Sequence, residues 1–430
     1  MVSNFERVLF AGVMCVCAMA FHAHADFQGA THLMPFEEDT INYNNTPDSG
    51  PVAELRKRIE SGTAKLHYEK ERGWLLGLLE ELKVPKSSQM LVFSRTSLQR
   101  ERISPKTPRS VFYGDDVYLG FIPGAPLIEI TAVDPKLGAV FYTIDQTVTN
   151  VPKLTRTTQC LECHASAKTM GVPGHLVRSF ATDDQGIADI NTGTSQVNHR
   201  TPLEERWGGW YVTGTHGKQT HRGNLVGKAA FERHAKDPSF GGNVTNLSAF
   251  FDVTPYVRER SDIVALMVME HQTHMQNFIT RLNYESKIAL LQYGHVRYLK
   301  NMSEAFLKFM LFTEETKLTD RVKGDPQFVR EFNEQGSRDK KGRSLREFDL
   351  STRLFKYPCS YLIYSDAFDA LPGPMKEHLY QRLWEILSGQ DTSETFASLD
   401  SKARRDILEI LIETKSGLPS YWKSERAAAK

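Results

Sequence analysis

Cysteine is scarce in this chain, with five in 430 residues. Cys15 and Cys17 lie in an apolar N-terminal run, which leaves Cys160, Cys163 and Cys359 for the body of the protein. A scaffold stapled by several disulfides is therefore excluded. Neither sign of charge is in excess: the formal net charge is +1, no long basic block exists, and nucleic acid is not an expected partner. After the N-terminal run no apolar stretch approaches the ~20 residues that span a bilayer, so no membrane span is expected in the mature protein. Walker loop, dinucleotide fingerprint, nucleophile elbow and Ser-His-Asp order are all missing, as are internal repeats.

The N-terminal run, Val8 to Phe21, is short for a membrane span and is followed by Ala23-His24-Ala25, an A-x-A cleavage pattern. Residues 1–25 are read as a signal peptide with Asp26 as the mature start, although Arg7 is the only basic residue of the n-region. An uncleaved anchor is the other reading. Both place the body outside the cytoplasm, and a periplasmic location is expected.

What the chain does contain is Cys160-Leu161-Glu162-Cys163-His164. This C-x-x-C-H pattern is the signature of covalent haem c attachment. Two thiols about one helical turn apart match the two haem vinyl groups, and the histidine that follows is placed to ligate the iron. A redox C-x-x-C would be expected inside a β-α-β pattern, which is not present. A structural zinc site would need a second Cys/His pair at finger or ribbon spacing. One covalent haem c is therefore the expected cofactor, with Cys160 and Cys163 as attachment points and His164 as proximal ligand. Cys359, in an apolar segment, reads as a buried thiol.

The second axial position separates an electron carrier from an enzyme or sensor. Met170 is too close in sequence to His164 to pass around the haem edge. His216 and His271 are the leading candidates for a distal ligand and His175 just reaches; an open position is the remaining possibility. His271 lies on an apolar helical stripe, where an imidazole needs a partner. Arg178, Arg200 and Arg206 are candidates to pair with the haem propionates.

The expected fold class is α+β. Residues 26–86 read as a polar arm and an N-terminal helical segment, with helix over Pro51 to Leu82 broken near Gly62. Residues 87–151 form a small antiparallel β-rich segment, with strands in Val111 to Phe121, Leu127 to Val133 and Ala139 to Ile144. Asp134 to Gly138 reads as a hairpin turn. Residues 152–256 form the haem c-binding region, of short helices and loops. Residues 257–430 form a mostly α-helical domain: one helix begins near Ser261, and a second carries Ile288, Leu291, His295, Leu299, Met302, Phe306 and Phe309 on its apolar side.

Several segments together resemble a family of uncharacterised, exported, large single-haem c-type cytochromes: Arg95 to Gln99, Pro105 to Arg109, Asp115 to Tyr118, Leu137 to Tyr142, Cys160 to Ser166, Gly171 to Ser179 and Leu203 to Gly217. The resemblance covers residues 90–230 well and implies haem c on Cys160 and Cys163 with His164 as iron ligand; it brings no substrate. Strands leading into C-x-x-C-H also resemble, faintly, the sheet-based haem proteins of the P460 and cytochrome c′-beta kind, which enclose a five-coordinate haem. The expected function is single-electron transfer to or from a redox protein or a small electron donor or acceptor. The alternative is a peroxidase- or oxidase-type haem enzyme, or a small-ligand sensor, with an open sixth position.

Overall fold

Strand-forming residues between Met90 and Thr157 build most of an antiparallel sheet in a computed structural model that describes residues 33–189 and 195–424. The N-terminal segment read as a signal peptide lies outside the described residues. In chain order the strands are β1 (Met90–Val92), β2 (Arg109–Tyr113), β3 (Val117–Phe121), β4 (Leu127–Asp134), β5 (Gly138–Asp145) and β6 (Leu154–Thr157). They pair as a meander in that order, and the two-residue strand Trp210–Tyr211 adds to the outer edge of β1. The Val111 to Phe121 run is two strands, because Gly114, Asp115 and Asp116 turn the chain back.

The β4–β5 turn follows the sequence reading. Asp134 Oδ1 accepts from the backbone N–H of Lys136 at 2.7 Å and of Leu137 at 3.0 Å, closing the loop. Gly138 then takes φ +71°, where a Cβ would stand 2.5 Å from Thr280 Cγ2 and 2.7 Å from the Pro173 carbonyl.

Alternation divides the sheet into two faces. Phe112, Leu119, Ile128, Ile130, Val140, Tyr142 and Ile144 enter one core with helices α1 (Pro51–Glu60) and α2 (Leu75–Glu81). The helical reading of Pro51 to Leu82 holds only at its ends, since 61–74 is irregular. Val111, Tyr113, Tyr118 and Val133 on the other face share a larger core with the C-terminal helices.

The C-x-x-C-H motif supplies α3 (Leu161–His164), and α4 (Gly227–Lys236) follows in the irregular middle. Helix α5 (Ile263–Tyr293) runs 31 residues and is buried along most of its length. Asp262 caps its start, accepting from Ala265 N–H at 2.9 Å, and Gly294 ends it at φ +71°. That glycine corrects the expected second helix: Ile288 and Leu291 belong to the last turns of α5, with Leu291 exposed. The following helix is α6 (Lys300–Met310), which carries Met302, Phe306 and Phe309 into the core. Further helices Pro326–Glu334, Gly373–Leu387 and Ser401–Thr414 complete the helical part. Among the described residues no helix is long and apolar enough to cross a membrane.

Candidate functional site

β6 ends at Thr157, and three residues later the chain coils into the single helical turn that holds the motif. His164 N–H donates to the Cys160 carbonyl at 2.9 Å, and Ala165 N–H to that of Leu161 at 2.9 Å. Leu161 and Ala165 pack on the core beneath, which turns the two cysteines outward. Cys160 is half-buried and Cys163 exposed, and both are free thiols. Burial, and then the Glu129 carboxylate, push the Cys160 thiol up to about 11, with Arg109 opposing. A dithiol tuned for disulfide exchange has the opposite bias, toward thiolate.

His164 is fixed by a reciprocal pair with Gly174. Its Nδ1 bonds the Gly174 carbonyl at 2.9 Å, and Gly174 N–H donates to the His164 carbonyl at 2.8 Å. A carbonyl accepts only, so Nδ1 carries the proton and Nε2 keeps its lone pair, the form that binds a metal. Burial keeps the ring neutral by lowering its proton affinity. The ring packs on Phe141 of β5, centroids 5.1 Å apart.

The loop after the motif is held by α5. Asn277 accepts from His175 N–H at 2.9 Å and donates to the His175 carbonyl at 2.6 Å, and Arg281 donates to the Met170 carbonyl at 3.0 Å. Met170, at φ +59°, turns its side chain into the core. His175 lies against Tyr118, centroids 4.3 Å apart, and burial drives its pKa down to about 3. Its Nε2 is buried and has no hydrogen-bond partner among the described residues.

The other two distal candidates have settings of their own. His216 Nε2 accepts from Asn243 N–H at 2.9 Å, with His221 alongside at 4.7 Å between centroids. His271 uses both nitrogens, Nδ1 with His199 Nδ1 at 2.9 Å and Nε2 with Ser360 Oγ at 2.8 Å. It stacks among Phe309 and Phe312.

Of the three arginines, Arg206 is buried against Glu270, and Arg200 pairs with Glu314 at 3.0 Å. Arg178 stacks over Phe180 at 4.3 Å, and its buried Nε has no partner among the described residues. Lys168 is close enough that Arg178, after burial, depresses its pKa. The Trp207 to Tyr211 cluster is core: Trp207 is fully buried with its indole N–H on Glu270, and Trp210 and Tyr211 pair with β1.

Sequence reasoning singled out the motif but not its supports. Gly174, Phe141 and Arg109 fall in segments that carry the family resemblance, which gave them no role, and Asn277 and Glu129 carry no local pattern that would announce them. Among the described residues no group of three or more His, Cys, Asp and Glu is arranged to hold a metal ion. Comparison with protein-family models, with curated proteins and with solved structures finds no match.

Proposed function

We propose that this protein is an exported, periplasmic c-type cytochrome that carries single electrons through one covalently bound haem. The observation that carries the reading is the conjunction on α3: two free, outward thiols one turn apart, and a histidine whose Nδ1 is tied to a carbonyl and whose Nε2 is left available. The donor set fits the group. Cys160 and Cys163 would hold the macrocycle through thioethers, and His164 would ligate its iron. The haem, when bound, supplies a one-electron couple. Gly174 orients the imidazole and raises its basicity through the Nδ1 hydrogen bond. Arg178 and Lys168, a cationic pair beside Cys163, would meet the propionates. The partner is then a redox protein or a small electron donor or acceptor.

A second reading, a haem enzyme of peroxidase type or a ligand sensor, is favoured by one specific observation. His271, one of the expected distal ligands, already has both ring nitrogens in hydrogen bonds, to His199 and to Ser360. Both readings are tested on protein exported from a cell with active cytochrome c maturation. Intact mass and the pyridine haemochrome spectrum should report one haem bound through two thioethers, and Cys160→Ala with Cys163→Ala should abolish it. A colourless product with the mass of bare polypeptide would end the proposal. Carbon monoxide then divides the readings, since a high-spin iron that binds the gas favours the open position.

A further inference from the structure

Strand register fixes which side chains share the face on which His164 rests. Phe141 pairs with Thr131 and Thr157, and Thr131 with Tyr118, so these four form one cross-strand row. The next row on the same face is Gly120, Glu129, Thr143 and Thr155, about 7 Å further along the strands. His175 covers the first row at Tyr118. In the second row Glu129 and Thr143 are partly exposed and Thr155 is exposed.

Arg109 comes from β2, one row beyond, and reaches back over Gly120. A Cβ at Gly120 would lie 3.0 Å from Arg109 Nε, so the glycine makes room for the guanidinium. There Arg109 Nη1 donates to Glu129 Oε2 at 2.8 Å. The other Glu129 oxygen accepts from Ser97 at 3.3 Å and Gln99 at 3.4 Å. Arg109 Nε is buried and has no partner among the described residues. A guanidinium keeps its charge at any working pH, and a buried N–H left unpaired is costly. This pair is therefore anchored on one side and unsatisfied on the other.

The direction of Nε2 connects the pair to the motif. Gly174 is fastened to the Ala139 end of β5, because Ala139 N–H donates to the Pro173 carbonyl at 3.0 Å. The two imidazole nitrogens point to opposite sides of the ring, and Nδ1 points to Gly174. Nε2 therefore faces away from the Gly174 carbonyl and the Ala139 end of that face, and Thr143 and Glu129 stand at its other end.

We infer that Arg109, held in place by Glu129, is the residue that meets a small anion coordinated on the open side of the haem iron. The inference rests on the haem reading above. Arg109 would donate a charge-assisted hydrogen bond to the bound anion, and Glu129 acts through Arg109 as a positioning residue that also competes for its charge.

The test uses the mature haem-loaded protein with azide and cyanide as probes and carbon monoxide as a neutral comparison. Arg109→Leu should weaken azide and cyanide binding by about tenfold or more, the loss expected for one hydrogen bond to a charged group. Arg109→Lys should recover part of it. Glu129→Gln should move affinity the other way, tightening both anions, a sign that a merely structural role would not produce. Carbon monoxide affinity should shift less in every variant. Should Arg109→Leu not fold, Arg109→Lys and Glu129→Gln carry the test. Unchanged anion affinity in the variants, or a wild-type iron that is low-spin and ignores azide, overturns the assignment while leaving the haem in place. Haem-free protein instead removes the haem reading, and Arg109's role with it.

Discussion

Asn277 and Gly138 show how single residues far from the motif set its geometry. Asn277 closes two hydrogen bonds on the His175 backbone, next to the carbonyl that holds His164. Asn277→Ala strips the partners from both buried groups and should cost about 2 kcal/mol or more. A lowered urea midpoint together with a shifted midpoint potential of the proposed haem would check it; an unchanged potential would uncouple Asn277 from His164. Gly138→Ala forces a side chain into a left-handed turn already crowded by Thr280 and the Pro173 carbonyl. About 1–3 kcal/mol should be lost, read as a fall in the thermal midpoint.

Helix α5 is the element on which the molecule is organised, and its polar residues do as much as its apolar stripe. Gln272 donates to the Gly114 carbonyl at 2.8 Å and to Tyr118 Oη at 2.8 Å, and Asn283 donates to the Pro135 carbonyl at 3.0 Å. The helix thereby grips two turns of the sheet as well as the loop after the motif. Glu270 is the carboxylate among these groups. It is fully buried against Arg206 and Trp207, and burial pushes its carboxyl up to about 7 while Arg206 pulls it down. Glu270→Leu leaves a guanidinium buried without its partner and should destabilise by about 3–5 kcal/mol. The double variant Glu270→Leu with Arg206→Met should regain most of that loss in urea unfolding. Equal instability of single and double variants would mean that packing, and not charge, dominates there.

Across the whole molecule, burial sets two families of titrating groups against each other. Burial drives His175, His221, His271 and His274 down to about 3, and His199 well below its ordinary value. A histidine kept neutral in the fold contributes stability that is present above its unfolded pKa of about 6.5 and lost as pH falls toward its folded value. Asp116, Asp262, Glu270 and Glu315 are raised by burial to about 7. Their contribution is present below the unfolded carboxyl range of about 4 and lost as pH rises through 7. Between about pH 6.5 and 4.5 the two sets oppose, so the urea midpoint should change little. Below about pH 4 the raised carboxyls no longer differ between states, while the histidines and the carboxylates held low by their partners, Asp48, Asp339 and Asp391 among them, both lose their contribution, and stability should fall steeply. A smooth decline from pH 6.5 downward would show that the carboxyls do not hold their protons in the fold. The helix–sheet composition, the β4–β5 turn and the C-x-x-C-H motif were legible in the sequence, because alternation, turn chemistry and the spacing of Cys160, Cys163 and His164 are local. The break at Gly294, the pairing of His271 with His199 and Ser360, and the meeting of Arg109 with Glu129 were decided only by tertiary structure. Each depends on groups distant in the chain, brought together by the packing of α5 on the sheet and by strand register, and no local pattern encodes either.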